Sequence, residues 1–377
     1  MSQEIRDIVL SSLSAIGANH EAKFYAQLFS AQDAERFALV VIDPRCLKNP
    51  LLESLIGSLR ILKNLGLTPV LLVGALDEDR TSVRFQSQRL ARDMEQSNIG
   101  VVKLDTATYG LIPDIRKVTR TGRLVVLEMT NRSKSMDLPR LAEALKSNKI
   151  LFLQPSGGLT QNGSRIKDLT IDEIPELLKT PGFSQGQIRF LRSVMALDAN
   201  TEQRRAYVIA SPLNLLMELF TTKGSGTLIR RKVIIKRGQN FKSFVQRDLQ
   251  NSMENAFGKK MKAEFFKRDL YRGFIVAEYR GGALFNELEG LPYLSKFWIT
   301  KAAQGDGIAR DIWADICDDI PRFFWRSRME NPFNDWYMHA CDGMQRRGDW
   351  RVFWKGLSAL EIPKAIETAA LAPDDFK

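Results

Sequence analysis

The 377 residues include only two histidines, His20 and His339, and three cysteines, Cys46, Cys317 and Cys341. Such scarcity argues against a histidine-ligated metal and against a Ser-His-Asp triad. The cysteines are odd in number and far apart, with no C-x-x-C pair. That excludes a disulfide framework or zinc cluster and suits a reducing compartment. No apolar run approaches the roughly 18 residues of a membrane span, so no membrane partner is expected. The opening MSQEIRDIVLSSL carries acidic residues at amphipathic spacing, unlike a secretory signal, and a cytoplasmic protein is expected. There is no internal repeat and no low-complexity segment.

The composition is 44% apolar and 26% charged, which allows a sizeable core and excludes wholesale disorder. The length suggests two domains. Lys plus Arg number 55 against 44 Asp plus Glu, a net charge of +11. That excess favours a polyanionic partner: nucleic acid, anionic lipid or a small ligand rich in phosphate.

Residues 3–30 read as an amphipathic helix pair broken at Gly17-Ala18-Asn19. FALVVID at 37–43 is a continuous apolar run closed by Pro44, as a buried strand requires. A helix follows through Leu51, Leu55, Ile56, Leu59 and Leu62. Gly66 stops it, and PVLLVGA at 69–75 is the next strand. This is a βαβ unit of a parallel sheet. Strands at 100–105, 123–129 and 149–154, with helical stretches between them, continue it, so the first half is α/β. The texture changes at the glycine-rich TKGSGT (222–227). Beyond it, RRKVIIKR, RGFIVAEY and GGALFNEL alternate as half-exposed antiparallel strands do. Domains at 1–222 and 223–377 are expected. Between Lys223 and Asp269 stand thirteen Lys and Arg against four Asp and Glu, so most of the net charge gathers there.

The first sheet lacks a phosphate loop. Its first strand ends in Ile42-Asp43-Pro44-Arg45 and its second in Val73-Gly74-Ala75-Leu76-Asp77-Glu78-Asp79. Neither matches G-x-G-x-x-G or a P-loop, and the three acids would repel an anion. Pro155-Ser156-Gly157-Gly158-Leu159 reads as a tight turn. In the second half an alternating strand, Leu291-Pro292-Tyr293-Leu294-Ser295-Lys296-Phe297-Trp298-Ile299, runs towards Gln304-Gly305-Asp306-Gly307-Ile308-Ala309. A helix follows with Ile308, Ile312, Trp313 and Ile316 on one face. Glycines at 305 and 307 strip side chains from the turn, so successive N–H groups can converge on an anion. Such a turn is also a common structural device. Arg326 and Arg328, two apart on a strand, share a face and resemble a fork for a carboxylate. Trp313, Trp325, Trp350 and Trp354 read as core.

Taken in order, several strings resemble the vertebrate-like N-acetylglutamate synthase family, which includes bacterial bifunctional synthase–kinases. They are FGKK (257–260), PYLSKF (292–297), AQGDGIA (303–309), FWRSRMENPFNDWY (324–337), CDG (341–343) and W-x-x-FW-x-G (350–356). Weaker matches at 20–30, 36–43, 64–75 and 216–231 resemble the amino-acid-kinase domain that precedes the acetyltransferase in that family. The resemblance implies an amino-acid-kinase-like parallel-sheet domain followed by a GNAT α+β domain. It also implies acetyl transfer from acetyl-CoA to the amino group of L-glutamate, the first step of arginine biosynthesis. Kinase-active members have Lys-x-Gly-Gly where Val41-Ile42-Asp43-Pro44 stands here, and His-Gly-x-Gly where Val73-Gly74-Ala75-Leu76 stands. A pseudokinase is therefore expected.

By the same resemblance, Lys259, Lys296, Arg326, Arg328 and Asn331 surround the amino acid, and Lys296 acts as base or through its charge. Tyr337 protonates the departing thiolate. Main-chain groups of Phe297, Trp298 and Ile299 hold pantetheine, and the amides of Gln304, Gly305, Asp306, Gly307, Ile308 and Ala309 take the pyrophosphate. The chemistry needs no metal. Tyr25 matches a tyrosine near the arginine site of arginine-sensitive members, whose N-terminal helices interlace. Arginine is thus a possible allosteric ligand, and a homo-oligomer through the first half is expected. The alternatives are residual acetylglutamate kinase activity, a purely regulatory arginine-sensing role, or acetylation of another amino acid. A nucleic-acid binder is less economical, because no such motif is present and CoA phosphates with a dicarboxylate account for the charge.

Overall fold

The computed structural model describes residues 38–76, 80–130, 137–147, 149–220, 225–300, 303, 307–331 and 333–376. The N-terminal helix pair with Tyr25, the acidic run at 77–79, and Gln304, Gly305 and Asp306 lie outside the described residues. The chain divides into two compact units, Met1–Lys232 and Val233–Lys377. The division falls ten residues past the expected boundary at 222, because Thr227–Arg230 is still a strand of the first sheet.

The first unit runs β1 (Leu39–Ile42), α1 (Leu51–Asn64), β2 (Val70–Val73), α2 (Arg80–Gln96), β3 (Val101–Asp105), α3 (Leu111–Arg120), β4 (Leu124–Glu128), α4 (Leu138–Leu145) and β5 (Lys149–Leu153). A small hairpin of β6 (Leu159–Gln161) and β7 (Ser164–Ile166) follows. Then come β8 (Asp168–Thr170), α5 (Ile174–Leu177), α6 (Gln185–Ala199), β9 (Ala206–Ala210), α7 (Leu215–Phe220) and β10 (Thr227–Arg230). Among the described residues the main sheet has eight strands in the order β3-β4-β2-β1-β5-β9-β10-β8, parallel except between β9 and β10. Successive residues of one strand enter different cores. Val40, Ile42, Leu71 and Val73 pack with α1, whereas Leu39, Val41, Val70 and Leu72 pack with α3, α4 and α6. Burial on both faces is why these strands read as unbroken apolar runs rather than alternating ones.

The second unit is α+β. Its elements are β11 (Ile235–Gly238), α8 (Gln246–Phe257), β12 (Arg272–Val276), β13 (Gly281–Leu288), β14 (Leu291–Ile299), α9 (Ile308–Asp319), β15 (Phe323–Arg328), α10 (Asn334–Ala340), β16 (Gly343–Arg347), β17 (Trp350–Lys355) and α11 (Glu361–Leu371). The sheet order is β11-β12-β13-β14-β15-β17-β16, antiparallel except where β14 meets β15. Ile308, Ile312, Trp313 and Ile316 of α9 are buried on one face of this sheet with Phe323, Trp325 and Phe353. On the other face, Ala365, Ile366 and Ala369 of α11 cover Tyr293, Phe324 and Val352. The β13–β14 register shifts at Leu284/Phe285, a bulge in the middle of the sheet.

Candidate active site: a forked sheet with a basic face

The decisive local feature is where β14 and β15 part. These parallel neighbours pair only at Tyr293↔Phe324 and Leu294↔Trp325, although β14 continues to Ile299 and β15 to Arg328. Past Leu294 and Trp325 the strands therefore diverge, and main-chain N–H and C=O groups on the inner edges of the fork are left without a sheet partner. An extended ligand with amide groups can complete such an edge as an added strand. Phe297, Trp298 and Ile299, the predicted pantetheine contacts, form the β14 arm of the fork. The Trp298 indole is already committed, donating to Ser252 Oγ at 2.8 Å, so only its backbone is available for that role.

Alternation along β15 sends side chains to opposite faces of the sheet. Trp325 joins the α9 side, where it meets the ring of Tyr337 on α10 at 5.6 Å. Tyr337 also meets Phe297 of β14 at 6.4 Å, so its ring spans both arms of the fork. The phenol is 6% exposed, and burial pushes it well above the ordinary tyrosine range. It is therefore a protonated group at every workable pH, as a proton donor must be before it acts.

Arg326 and Arg328 lie on the α11 face, as their spacing predicts. Their guanidinium carbons stand 3.9 and 4.0 Å from the centroid of the Trp350 ring, which β17 places directly opposite Arg328. Both cations therefore stand against the same indole. Trp350 is thus no simple core residue. It is half-buried and packs against both cations. Arg326 also donates from Nη1 to the carbonyls of Ala369 (2.8 Å) and Ala370 (3.4 Å), and from Nη2 to that of Pro373 (2.9 Å). Much of its fork therefore caps α11. Arg328 makes one ion pair, to Asp374 at 3.3 Å, and is the more exposed of the two.

Lys296 projects from β14 onto the same face and is 7% exposed. Its Nζ donates to Ser295 O at 2.9 Å and pairs with Asp375, while the rings of Phe265 and Phe376 lie 4.9 and 5.4 Å away. Burial pulls this ammonium below the usual lysine range, and the Asp375 carboxylate opposes that pull. Lys259 follows the left-handed cap Gly258 at the end of α8 and is exposed. It borders a shallow groove of about 370 Å³ with Asn251, Glu254 and Asn255, which none of the other predicted acceptor residues lines. Asn331 turns the chain after β15: its Nδ2 donates to Ser327 Oγ at 2.8 Å, and its Oδ1 accepts from Phe333 N at 3.0 Å. The structure thus brings Lys296, Arg326 and Arg328 to one face, with Tyr337 on the other side of the fork.

Sequence reasoning missed Asp374 and Asp375 altogether and read Trp350 only as core. Two acids after Pro373, beyond the last helix, are a faint cue, and Lys296 and Asp375 are 79 positions apart. Of the predicted pyrophosphate residues, Gly307, Ile308 and Ala309 are described. Gly307 caps α9 with φ +72°, a left-handed conformation that suits glycine, and Ile308 is buried. The described residues include no group of three or more His, Cys, Asp or Glu that could hold a metal ion.

In the first unit, the end of β1 is filled rather than open. Asp43 Oδ1 accepts from Arg45 N at 2.9 Å and Oδ2 pairs with Arg45 Nη2 at 2.8 Å. After β2, Gly74 has φ +96°, and a Cβ there would stand 2.7 Å from Val83 and 2.8 Å from Met129 O. A carboxylate and tight packing thus occupy the ends of β1 and β2.

A family model described as the N-acetyltransferase of N-acetylglutamate synthase matches residues 236–370. Those residues are an N-acetyltransferase domain. The fork, the buried phenol and the basic face all belong to it, and the protein is an acyltransferase. The whole chain is similar to an acetylglutamate kinase of Xylella fastidiosa (strain 9a5c), at 27% identity over 91% of this chain and 95% of that protein. It is also similar to mitochondrial N-acetylglutamate synthase of Mus musculus, at 33% identity over 63% of this chain but 46% of the mouse protein. In fold it resembles N-acetylglutamate synthase of Neisseria gonorrhoeae, solved with coenzyme A and N-acetylglutamate. The TM-score is 0.53 and the identity 16%, over 90% of this chain and 98% of that one.

Proposed function

We propose that the protein is an N-acetylglutamate synthase, moving the acetyl group of acetyl-CoA to the amine of L-glutamate. The observation that carries this reading is the fork, with Lys296, Arg326 and Arg328 on one face and Tyr337 spanning both arms from the other. A dicarboxylate is drawn to the basic face, and a thioester along the fork is reached by the phenol from the opposite side. Phe297, Trp298 and Ile299 would hold the pantetheine by main-chain bonds, and the amides of residues 304–309 the pyrophosphate. The co-substrate supplies an activated acyl group with a thiolate leaving group.

The rest falls to the chain's own residues. The cations hold the glutamate carboxylates and orient its nitrogen. Unpaired main-chain N–H groups on the fork's edge stabilise the oxyanion. Glutamate gives up its ammonium proton to solvent before its nitrogen attacks the thioester carbon. As the C–S bond breaks, the Tyr337 hydroxyl gives its proton to the sulfur, and the phenolate regains one from the acylated nitrogen. Lys296, bound to a carboxylate, acts through its charge rather than as a base. Thiol release from acetyl-CoA, measured against a panel of amino acids with and without arginine, tests the reading. Glutamate-dependent release supports it, and release with another amino acid alone reassigns the acceptor.

The kinase-like unit serves as a pseudokinase, a reading that the Asp43–Arg45 pair and the packed Gly74 support. Assembly into a homo-oligomer through this unit, a response to arginine and a cytoplasmic setting belong to the same proposal. An arginine complex of the Neisseria gonorrhoeae synthase exists. A monomeric mass by light scattering would refute the assembly.

A further inference from the structure

The segment after α11 is not a loose end. Lys262 N donates to Asp375 O at 2.9 Å, and Phe376 makes an antiparallel bridge to Met261 and packs on the ring of Phe257 at 4.9 Å. This tail is tied to both arms of the fork. Asp375 pairs with Lys296 of β14. Arg326 of β15 donates to Pro373 O, and Arg328 pairs with Asp374. Arg268 adds a second cation to Asp375 at 2.6 Å. A lysine as buried as Lys296 keeps its charge only with a counter-charge beside it.

We propose that Asp375 is the positioning residue of the acceptor site. Its carboxylate holds Lys296 charged and fixed, so the C-terminal tail forms one wall of the pocket for a dicarboxylate amino acid. The inference rests on the acetyltransferase reading above and assigns the tail a part in it. The titratable and charged groups facing Lys296 are Asp375 from the tail, Arg268 from the segment before β12, and Arg326 from β15. Tyr293 on its own strand is kept neutral by burial, its phenol pushed up to about 12. Without the Asp375 charge, burial and both arginines all favour the neutral amine. Lys296 would then lose its proton at lower pH than in the native protein. A charge needed to hold glutamate is present below that point and lost as pH rises through it.

The test compares KM and kcat for glutamate in the native protein and in Asp375→Asn from roughly pH 6 to pH 9, a range that brackets a depressed lysine. Using the variant-to-native ratio at each pH cancels the titration of glutamate itself. The KM ratio should climb by about tenfold or more across the range, with the kcat ratio nearly flat. In Lys296→Arg/Asp375→Asn the cation cannot lose its proton, and the slope should vanish. A KM ratio independent of pH would reduce Asp375 to a structural role and overturn the proposal. A rising limb of kcat moved to lower pH would make Lys296 a base and overturn it too. Should Asp375→Asn fail to fold, Asp375→Glu carries the test: it keeps the charge, so its ratio must stay flat, and a slope refutes the idea. If the native protein shows no glutamate-dependent thiol release at all, the acetyltransferase reading fails instead.

Discussion

Replacing Trp350 by leucine isolates what the ring shared by the two arginines contributes. Arg326 and Arg328 sit two residues apart on β15, a spacing of about 7 Å. Both reach the indole, with guanidinium carbons at 3.9 and 4.0 Å from its centroid. Leucine keeps apolar bulk next to the strand but removes the π-face that both cations use. Each contact at a half-exposed position is worth about 0.5–1 kcal/mol. Losing both should cost about 1–2 kcal/mol of arginine placement, which corresponds to roughly a five- to thirtyfold rise in KM for glutamate. The Tyr337 side of the fork is untouched, so kcat should stay within about twofold. Trp350→Phe retains a smaller face and should lose about half as much free energy. Steady-state kinetics with glutamate varied at saturating acetyl-CoA reads the split, with circular dichroism as the check on folding. A fall in kcat at constant KM, or no change in either for the folded variant, would refute the reasoning.

Tyr337→Phe should lower kcat by roughly ten- to a thousandfold with KM little changed, because the ring and its packing remain while the proton leaves. A rise in KM alone would make the phenol a substrate contact. Hydrogen bonds from Gln250, Lys260 and the Met261 amide hold Glu254 at about 2, anchoring the turn that carries Lys259. A depressed carboxyl stabilises above its unfolded value of about 4.3 and loses that contribution as pH falls through the folded one. Glu254→Gln should therefore lower the Tm at neutral pH by an amount that shrinks towards pH 2; a difference constant with pH would contradict it. Incubation with ATP and N-acetylglutamate should give no acyl phosphate above a no-enzyme control, since the Asp43–Arg45 pair fills the end of β1 with a carboxylate that repels phosphate; product above that control would end the pseudokinase reading.

Much of the architecture was legible because burial leaves a periodic trace. The strands of the first sheet, apolar on both faces, stand out as unbroken runs at 39–42, 70–73 and 124–128. α9 shows its buried face through Ile308, Ile312, Trp313 and Ile316. The pairing of Arg326 with Arg328 follows from strand alternation alone. What was not legible depends on contacts between distant segments. Trp350 looks like any core tryptophan until β17 places it opposite Arg328. That Arg326 spends donors on the end of α11, and that Asp375 reaches Lys296, follows from where the last helix packs, and no local pattern encodes that. The fork itself has no signature either. It is the place where two strands stop pairing, next to the β13–β14 bulge and with the large rings of Phe297, Trp325 and Tyr337 packed beside it.

The most direct measurement supplies isotopically labelled L-glutamate with acetyl-CoA and follows both products, free thiol by colorimetry and labelled amide by mass spectrometry. The expected result is one N-acetylglutamate formed for each CoA thiol released, with release abolished when glutamate is omitted. Thiol release without labelled amide, or at the same rate without glutamate, would contradict the assignment of the fork and its basic face to glutamate acetylation.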